Sequence, residues 1–454
     1  CVDLTNGKTL WENEFNVWLS DVPDTRVGWS SVVGDPNTGN VYALGVCGYF
    51  QCINGETGET IWAMPLHERF GLLSTYGGRT NFPVICDDLV IISAVVIGWG
   101  DMAKPAHRFV AFNKHNGEVV WMDGTRLLPY DTTYSSPSVA VLNGKKSMVF
   151  GSSDGDIWAL QPRTGQPIWN YKFSRRGLNV SPLVVGNDVY SGHSEENVVG
   201  SLMGAVAAIN GAAGTGDITE SGREWKHEEV MMGKSSPIVI GDRLYCFDDR
   251  AKCHVFDRKT GDPVAKMVRL GTVMRSSPLY ADGKIYANTA NGRWYILQPD
   301  EAKGVSILEK GRFPSGEECY ASPIASYGKV IVQTTGALYC FQDTSKESGV
   351  EPQPEAAQET PVSEDMDPAF VQVVPAEVLM RPGKEQEFQA RLFNSRGQLL
   401  GTAEAKFEVD GSAGTIDDNG KFVSNEDAAH TAVVVKAKVG ELEGAARVRI
   451  VPDL

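Results

Sequence analysis

The sequence contains no Cys-Cys pair and no Cys-x-x-Cys, and its seven histidines show no His-x-His or His-Glu-x-x-His spacing. Zinc and haem sites need such ligands at short, regular intervals, so neither has support here. No apolar run approaches the length of a membrane-spanning helix. Positive charge is short: 42 Lys and Arg face 57 Asp and Glu, a net −15. That balance argues against nucleic acid or an anionic membrane surface as partner. There is neither an initial Met nor a signal peptide; the chain begins at Cys1. A lipid anchor on Cys1 and a processed or truncated start both remain as readings. The second is favoured, because Cys1 aligns with Cys52 in the middle of a repeated strand, with no tether before the fold.

Glycine and tryptophan are plentiful, 48 and 10 residues, which suits a turn-rich β protein. One phrase recurs: ALQPRTGQPIW at 159–169, CINGETGETIW at 52–62, AFNKHNGEVVW at 111–121 and, shortened at the front, CVDLTNGKTLW at 1–11. Weaker copies are AINGAAGTGDITESGREW at 208–225, VFDRKTGDPVA at 255–265 and ILQPDEAKGVSIL at 296–308, with a half copy, CFQD, at 340–343. Self-similarity at this interval marks a repeat architecture. The unit from 134 to 169 reads as four short strands, SSPSVAV, SMVFGS, IWALQ and QPIW, with a tight turn at SDGD. A small sheet of this kind cannot bury both faces alone, and radial stacking into a β-propeller covers them. The tryptophan closing each phrase, Trp11, Trp62, Trp121, Trp169 and Trp225, has the area to plug the gap between neighbouring blades.

The phrase A-x-(D/N)-x-x-T-G-x-x-x-W resembles the tryptophan-docking repeat of quinoprotein-dehydrogenase-like propellers, whose non-enzymatic relatives include the BamB-type envelope lipoproteins. The resemblance covers residues 1 to about 342. It is specific for the fold and poor for the function. Six complete repeats fall at 28–65, 81–122, 134–172, 179–227, 234–268 and 275–310, and a three-strand seventh at 320–342. GKTLW at 7–11 is expected to supply the missing outer strand of that seventh repeat. The expectation is seven blades for the chain as written and eight, the usual number in the family, for a longer parent.

Residues 343–369 hold eight acids, one lysine and repeated proline, and read as an extended, solvated linker. Period-two strands follow in 370–454: FVQVV, EFQARLF, AVVVKAKV and ARVRIV, with turn signals at RPGK, NSRGQ and DDNGK. They suggest a small β-sandwich and resemble bacterial immunoglobulin-like domains, without the Cys, Trp, Cys hallmark of antibody domains. The expected organisation is a propeller at 1–342, a linker at 343–369 and an immunoglobulin-like domain at 370–454. Cys47 with Cys52, Cys246 with Cys253, and Cys319 with Cys340 are placed for cross-hairpin disulfides, with buried free thiols as the alternative.

Turns joining second and third strands, and links from each fourth strand to the next first strand, share one propeller face. The long insertions fall there, at 12–28, 63–79, 98–108 and 192–204, and long loops on a rigid scaffold are where binding concentrates. At the channel mouth, the residues preceding each Ser-Ser-Pro are Trp29, Thr80, Tyr134, Asn179, Lys234, Arg275 and Tyr320. Aromatics beside cations suit an anionic or sugar-like ligand, or a docked protein. His67, His107 or His193 with Asp101, Asp131 or Glu195 are polar groups on the same face that nothing orders into a triad. SSDGD at 152–156 and DDNG at 417–420 read as hairpin turns, not calcium loops.

The expected function is a non-enzymatic binding or scaffold protein of the cell envelope, exported to the periplasm or cell surface. Its partner would be an envelope protein or carbohydrate, with no cofactor or metal. The alternative is an oxidoreductase, either one using pyrroloquinoline quinone (PQQ) with calcium, as the family resemblance implies, or another acting on a small molecule.

Overall fold

The computed structural model describes residues 1–15, 30–71, 81–94, 107–126, 133–347 and 355–452. Strands succeed one another as antiparallel meanders, so sequence neighbours are sheet neighbours. Sheet I comprises Val33–Gly34, Asn40–Leu44, Tyr49–Asn54 and Thr60–Pro65. Sheet II comprises Val84–Cys86, Leu89–Ala94, Arg108–Asn113 and Val119–Gly124. Sheet III runs Ser138–Leu142, Lys145–Gly151, Asp156–Leu160 and Pro167–Lys172, and sheet IV Leu183–Val185, Asp188–Glu196, Met203–Asn210 and Arg223–Glu228. Sheet V contains Ile238–Ile240, Arg243–Phe247, Lys252–Asp257 and Val268–Arg269. Sheet VI contains Leu279–Ala281, Lys284–Asn288, Arg293–Asp300 and Gly304–Arg312, and sheet VII Ile324–Ser326, Lys329–Gln333 and Leu338–Gln342.

Alternation along each strand sends side chains to both faces, and each face is buried against the next sheet. Val90 and Ile92 join Tyr42 and Phe50 of sheet I, whereas Leu89 and Ile91 join Met148 and Phe150 of sheet III. The same pairing recurs between III and IV around Val149 and Ala207, between IV and V around Tyr190 and Leu244, and between V and VI around Phe247 and Leu297. This mutual covering is what makes the sheets a β-propeller.

Three expectations need correction. The segment GKTLW does not join sheet VII. Thr9 bridges Val2 instead, the Cys1 amino group donates to the Trp11 carbonyl at 2.7 Å, and Trp11 packs on sheet I. Residues 1–11 already carry both strands of a hairpin, which pair with each other first.

The cross-hairpin disulfides are not formed: Cys52, Cys246, Cys253, Cys319 and Cys340 are free, and the Cys47 side chain lies outside the described residues. Parity explains it. Cys246 lies opposite His254 and Cys253 opposite Phe247, so the two thiols project to opposite faces of sheet V and enter different cores. Likewise Cys340 pairs with Ile331, while Cys319 packs with Val332 and Tyr339 on the other face of sheet VII.

The third correction concerns the acidic stretch, of which residues 355–369 are fastened to the protein. Glu359 receives both terminal nitrogens of Arg163, at 2.9 and 2.7 Å, and the Thr360 amide donates to the Gly144 carbonyl at 2.9 Å. A run of carboxylates loses its reason to stay in water once fixed cations meet it.

Beyond it, Phe370–Val374, Gln389–Phe393 and Leu399–Ala403 form one sheet; Glu377–Met380, Lys406–Asp410, Thr431–Val439 and Leu442–Ile450 another; and Glu385–Glu387, Gly414–Ile416 and Lys421–Ser424 a third. They share a core of Val371, Phe388, Phe422, Val435 and Val448. This tail module is built onto the propeller. Glu377 pairs with Val119, the Ala376 amide donates to the Val119 carbonyl at 2.7 Å, and Val374 enters the core between sheets II and III. Sheet II and the Glu377–Met380 sheet thereby become one eight-stranded sheet. Glu377, with its side chain 7% exposed, is held by Arg447 at 2.7 Å and Arg449 at 2.6 Å.

Candidate partner-docking face

Because consecutive strands reverse direction, each sheet has a short-turn end and a loop end. At the short-turn end, four of the five repeat tryptophans make the same contact with the following sheet. The indole N–H of Trp11 donates to the Gly55 carbonyl at 3.0 Å, Trp62 to Lys114 at 3.3 Å, Trp121 to Pro162 at 2.9 Å and Trp225 to Arg258 at 3.0 Å. Each ring lies on the turn glycine of that neighbour: Gly58, Gly117, Gly165 and Gly261. Trp169 differs. The longer turn of sheet IV lays Gly216–Asp217 alongside it as a fifth, parallel strand of sheet III, and the indole is 1% exposed. In sheet V the column position belongs to Ala265, which meets Gly304.

The tail attaches at the short-turn end and also at the link leaving sheet I, where the Arg449 guanidinium donates to the Arg69 carbonyl and lies 5.6 Å from the Phe70 ring centre. Besides Glu359, Arg163 binds Asp87 at 2.7 Å, and Gln161 donates to the Arg396 carbonyl at 3.2 Å.

At the channel mouth, Trp29 and Thr80 lie outside the described residues. Asn179 reaches across to accept from the Tyr134 amide at 3.1 Å. Lys234 donates to the Gly233 carbonyl at 3.2 Å, and Arg275 sits 3.7 Å from the Asp249 carboxylate. Tyr320, 48% exposed, donates to Glu318 at 2.7 Å. The two cations on adjacent sheets therefore face local oxygen acceptors, and these contacts tie the column to the scaffold.

The serines that follow this column link neighbouring sheets. The Ser136 amide donates to the Ser181 hydroxyl at 2.8 Å, Ser236 to Ser277 at 2.9 Å and Ser277 to Ser322 at 2.8 Å. The Ser235 hydroxyl donates to the Ser276 carbonyl at 2.7 Å. Adjacent inner strands are thus stitched by side chains where no sheet hydrogen bonds connect them.

At the loop end, the hairpin joining Asp188–Glu196 to Met203–Asn210 stands out of sheet IV. Its tip exposes Val198 at 36%, Val199 at 78%, Leu202 at 43% and Met203 at 45%. The tip is braced. Ser174 bridges Asn197, the Arg175 amide donates to the Glu196 carbonyl at 2.9 Å, and the Arg175 guanidinium donates to the Val198 carbonyl at 3.2 and 3.1 Å. Asn197 closes the turn from inside, donating to the Leu202 and Gly204 carbonyls at 2.9 and 3.2 Å. The sequence marked 192–204 only as a long turn; the apolar residues within it, VV and LM, were the available signal.

Among the described residues, no catalytic constellation is assembled from the candidate histidines. Asp101 and Asp131 lie outside the described residues. His107 is fully buried against Phe109 and Phe150, with neither ring nitrogen partnered, and burial pushes its pKa down to about 3. Burial and then the Lys226 charge push His193 down to about 3. His67 lies 3.6 Å from Glu68 on the short helix Leu66–Phe70. The run GSSDG at 151–155 fits Gly-x-Ser-x-Gly, but Ser153 sits in a hairpin turn between strands of sheet III and not at a strand-to-helix elbow. Among the described residues, no group of three or more His, Cys, Asp or Glu side chains could hold a metal ion. The sequence has no adjacent cysteine pair either, and the described residues include no set that would hold a quinone with calcium.

The chain is 21% identical over 331 residues to the outer membrane protein assembly factor BamB of Shewanella oneidensis, covering 65% of this chain and 78% of that protein. It is 20% identical to that of Burkholderia pseudomallei, covering 66% and 78%. The crystal structure of BamB from Moraxella catarrhalis superposes with a TM-score of 0.51 at 16% identity, covering 69% of this chain and 84% of that one. The family model for outer membrane protein assembly factor BamB matches residues 1–267, more than half of the chain, and the chain belongs to that family.

Proposed function

We propose that this protein is a non-catalytic scaffold of the cell envelope that takes part in outer membrane protein assembly by docking another protein on the loop end of its propeller. The observation that carries this reading is the hairpin tip of sheet IV, where Val199 stands 78% exposed on a turn braced by Arg175 and Asn197. A rigid apolar tip loses little entropy when covered, and its aliphatic side chains suit a protein surface better than a carbohydrate, which would want aromatic platforms. The names of the BamB relatives support the assembly role, and with it an exported location.

The test is site-specific photo-crosslinking in cells from position 199, with position 441 in the tail module as control. A discrete adduct with an outer membrane assembly protein from 199, lost in Val199→Glu with Leu202→Glu, is expected. No adduct from 199, or the same adduct from 441, would refute the choice of face.

A further inference from the structure

At the loop end of sheet III two carboxylates are buried side by side, Asp154 in the hairpin turn and Asp156 at the head of the third strand, 2% and 3% exposed. The Asp156 amide donates to Asp154 Oδ1 at 3.1 Å, and the Trp158 indole N–H points at both Asp154 oxygens, at 3.3 and 3.1 Å. Asn170 donates to Asp156 Oδ2 at 2.8 Å. The same oxygen receives Arg126 at 2.5 Å, from the link that leaves sheet II. The Arg126 side chain is 42% exposed, and its guanidinium lies 5.8 Å from the Trp158 ring centre. Lys172 on the fourth strand also faces Asp156, but its ammonium is engaged by Asp217 at 2.7 Å. Among the described residues, two interior carboxylates thus share one direct cation, and that cation is tethered to a neighbouring sheet.

We propose that the Asp154–Asp156 pair is a proton-operated catch for the link leaving sheet II: fully ionised it holds Arg126, and on taking up a proton it lets Arg126 go. Two like charges in a poorly solvated site resist simultaneous ionisation. Burial and then the Asp154 charge push Asp156 up to about 7, against the opposing pull of Arg126, and burial raises Asp154 too. What the catch fixes is local. Thr125, next to Arg126, bonds the Ser152 hydroxyl at 3.0 Å and the His107 carbonyl at 3.0 Å, so Thr125 and Arg126 lie against the turn that carries both acids. The catch sits at the loop end but does not depend on what docks there.

The experiment is hydrogen exchange of the full chain between pH 5.5 and 8.5, corrected for intrinsic rates, read on peptides containing Thr125 and Arg126. Protection is expected to rise about threefold through neutral pH and to become flat in Asp156→Asn. In Asp154→Asn, where the like charge is gone, the midpoint should move to lower pH. A flat wild-type profile, or an unchanged transition in Asp156→Asn, overturns the proposal. Should Asp156→Asn fail to fold, an unmoved midpoint in Asp154→Asn overturns it equally. Thermal midpoints give an independent sign. A carboxyl raised on folding contributes stability that is present at low pH and lost as pH rises through about 7. Wild type should therefore lose ground to Asp156→Asn between pH 5 and 8.

Discussion

A methyl group placed on Gly165 would lie 2.7 Å from Cε3 of Trp121, inside the contact distance of any real side chain. The glycine also sits at φ +77°, so two constraints meet at one position of the Thr-Gly turn. Gly241 shares only the second, at φ +57° with nothing within 4 Å. Gly241→Ala should cost about 1 kcal/mol, from backbone conformation alone. Gly165→Ala should cost about 2–4 kcal/mol, because the buried indole must also move. Denaturant unfolding of the two variants measures the difference; equal costs would mean that the indole contact contributes nothing.

The propeller was legible because its determinants are local and periodic. A turn glycine and a tryptophan within 11 residues, as at 159–169, announce sheets I to III, weaker copies announce the others, and the repetition announces the stacking. Docking of the tail was not legible, since Arg163 and Glu359 stand 196 residues apart with no repeated spacing between them. The inter-sheet bonds, such as Ser136 to Ser181, cross 45 residues and read in sequence only as small residues before a proline. The failed cysteine pairing has another cause. Spacing placed Cys246 and Cys253 near each other but not on one face, and a strand shows one face at every second residue.

The Arg163 cluster should decide whether the tail module stays docked. Arg163 is 16% exposed and Glu359 19%, and the hydrogen bond from Arg163 holds the Glu359 carboxyl below its ordinary range. Arg163→Met leaves Glu359 and Asp87 to share the Lys146 ammonium, at 3.6 and 2.8 Å. Removing one partner of such a pair costs about 3–5 kcal/mol when fully buried, and about 2 kcal/mol is expected at this partial exposure. Limited proteolysis should cut between 343 and 369 several-fold faster in Arg163→Met. The double exchange Arg163→Glu with Glu359→Arg should recover part of the resistance; no recovery would mean that packing, and not charge, holds the tether.

The thiols should divide by exposure. Cys1 and Cys340 are exposed, whereas Cys86, Cys246 and Cys253 are buried. Burial pushes Cys86 up to about 12 and raises Cys246 and Cys253 well above the ordinary thiol range, so these remain protonated as well as shielded. Brief alkylation at pH 8 followed by peptide mapping should modify Cys1 and Cys340 nearly completely and the other three only after unfolding. A Cys246–Cys253 disulfide peptide from non-reduced protein would refute the opposite-face arrangement in sheet V.

His107 should make the protein acid-sensitive in the opposite sense to Asp156. Its imidazole is buried with both nitrogens unpartnered, and burial holds its pKa down at about 3. The unfolded chain gains a proton near pH 6.5 that the folded chain refuses, so the stabilising contribution is whole above 6.5 and declines as pH falls toward 3. The loss approaches about 1.4 kcal/mol per pH unit, or roughly 2 kcal/mol by pH 5. His107→Leu removes the proton site and two unsatisfied nitrogens while keeping apolar contact with Phe109 and Phe150. The variant should match or exceed wild-type stability at pH 7.5 and exceed it by about 2 kcal/mol more at pH 5. Denaturant midpoints at the two pH values test this. A stability difference that does not change with pH would mean that His107 takes up its proton in the folded state, and that its ring nitrogens have partners after all.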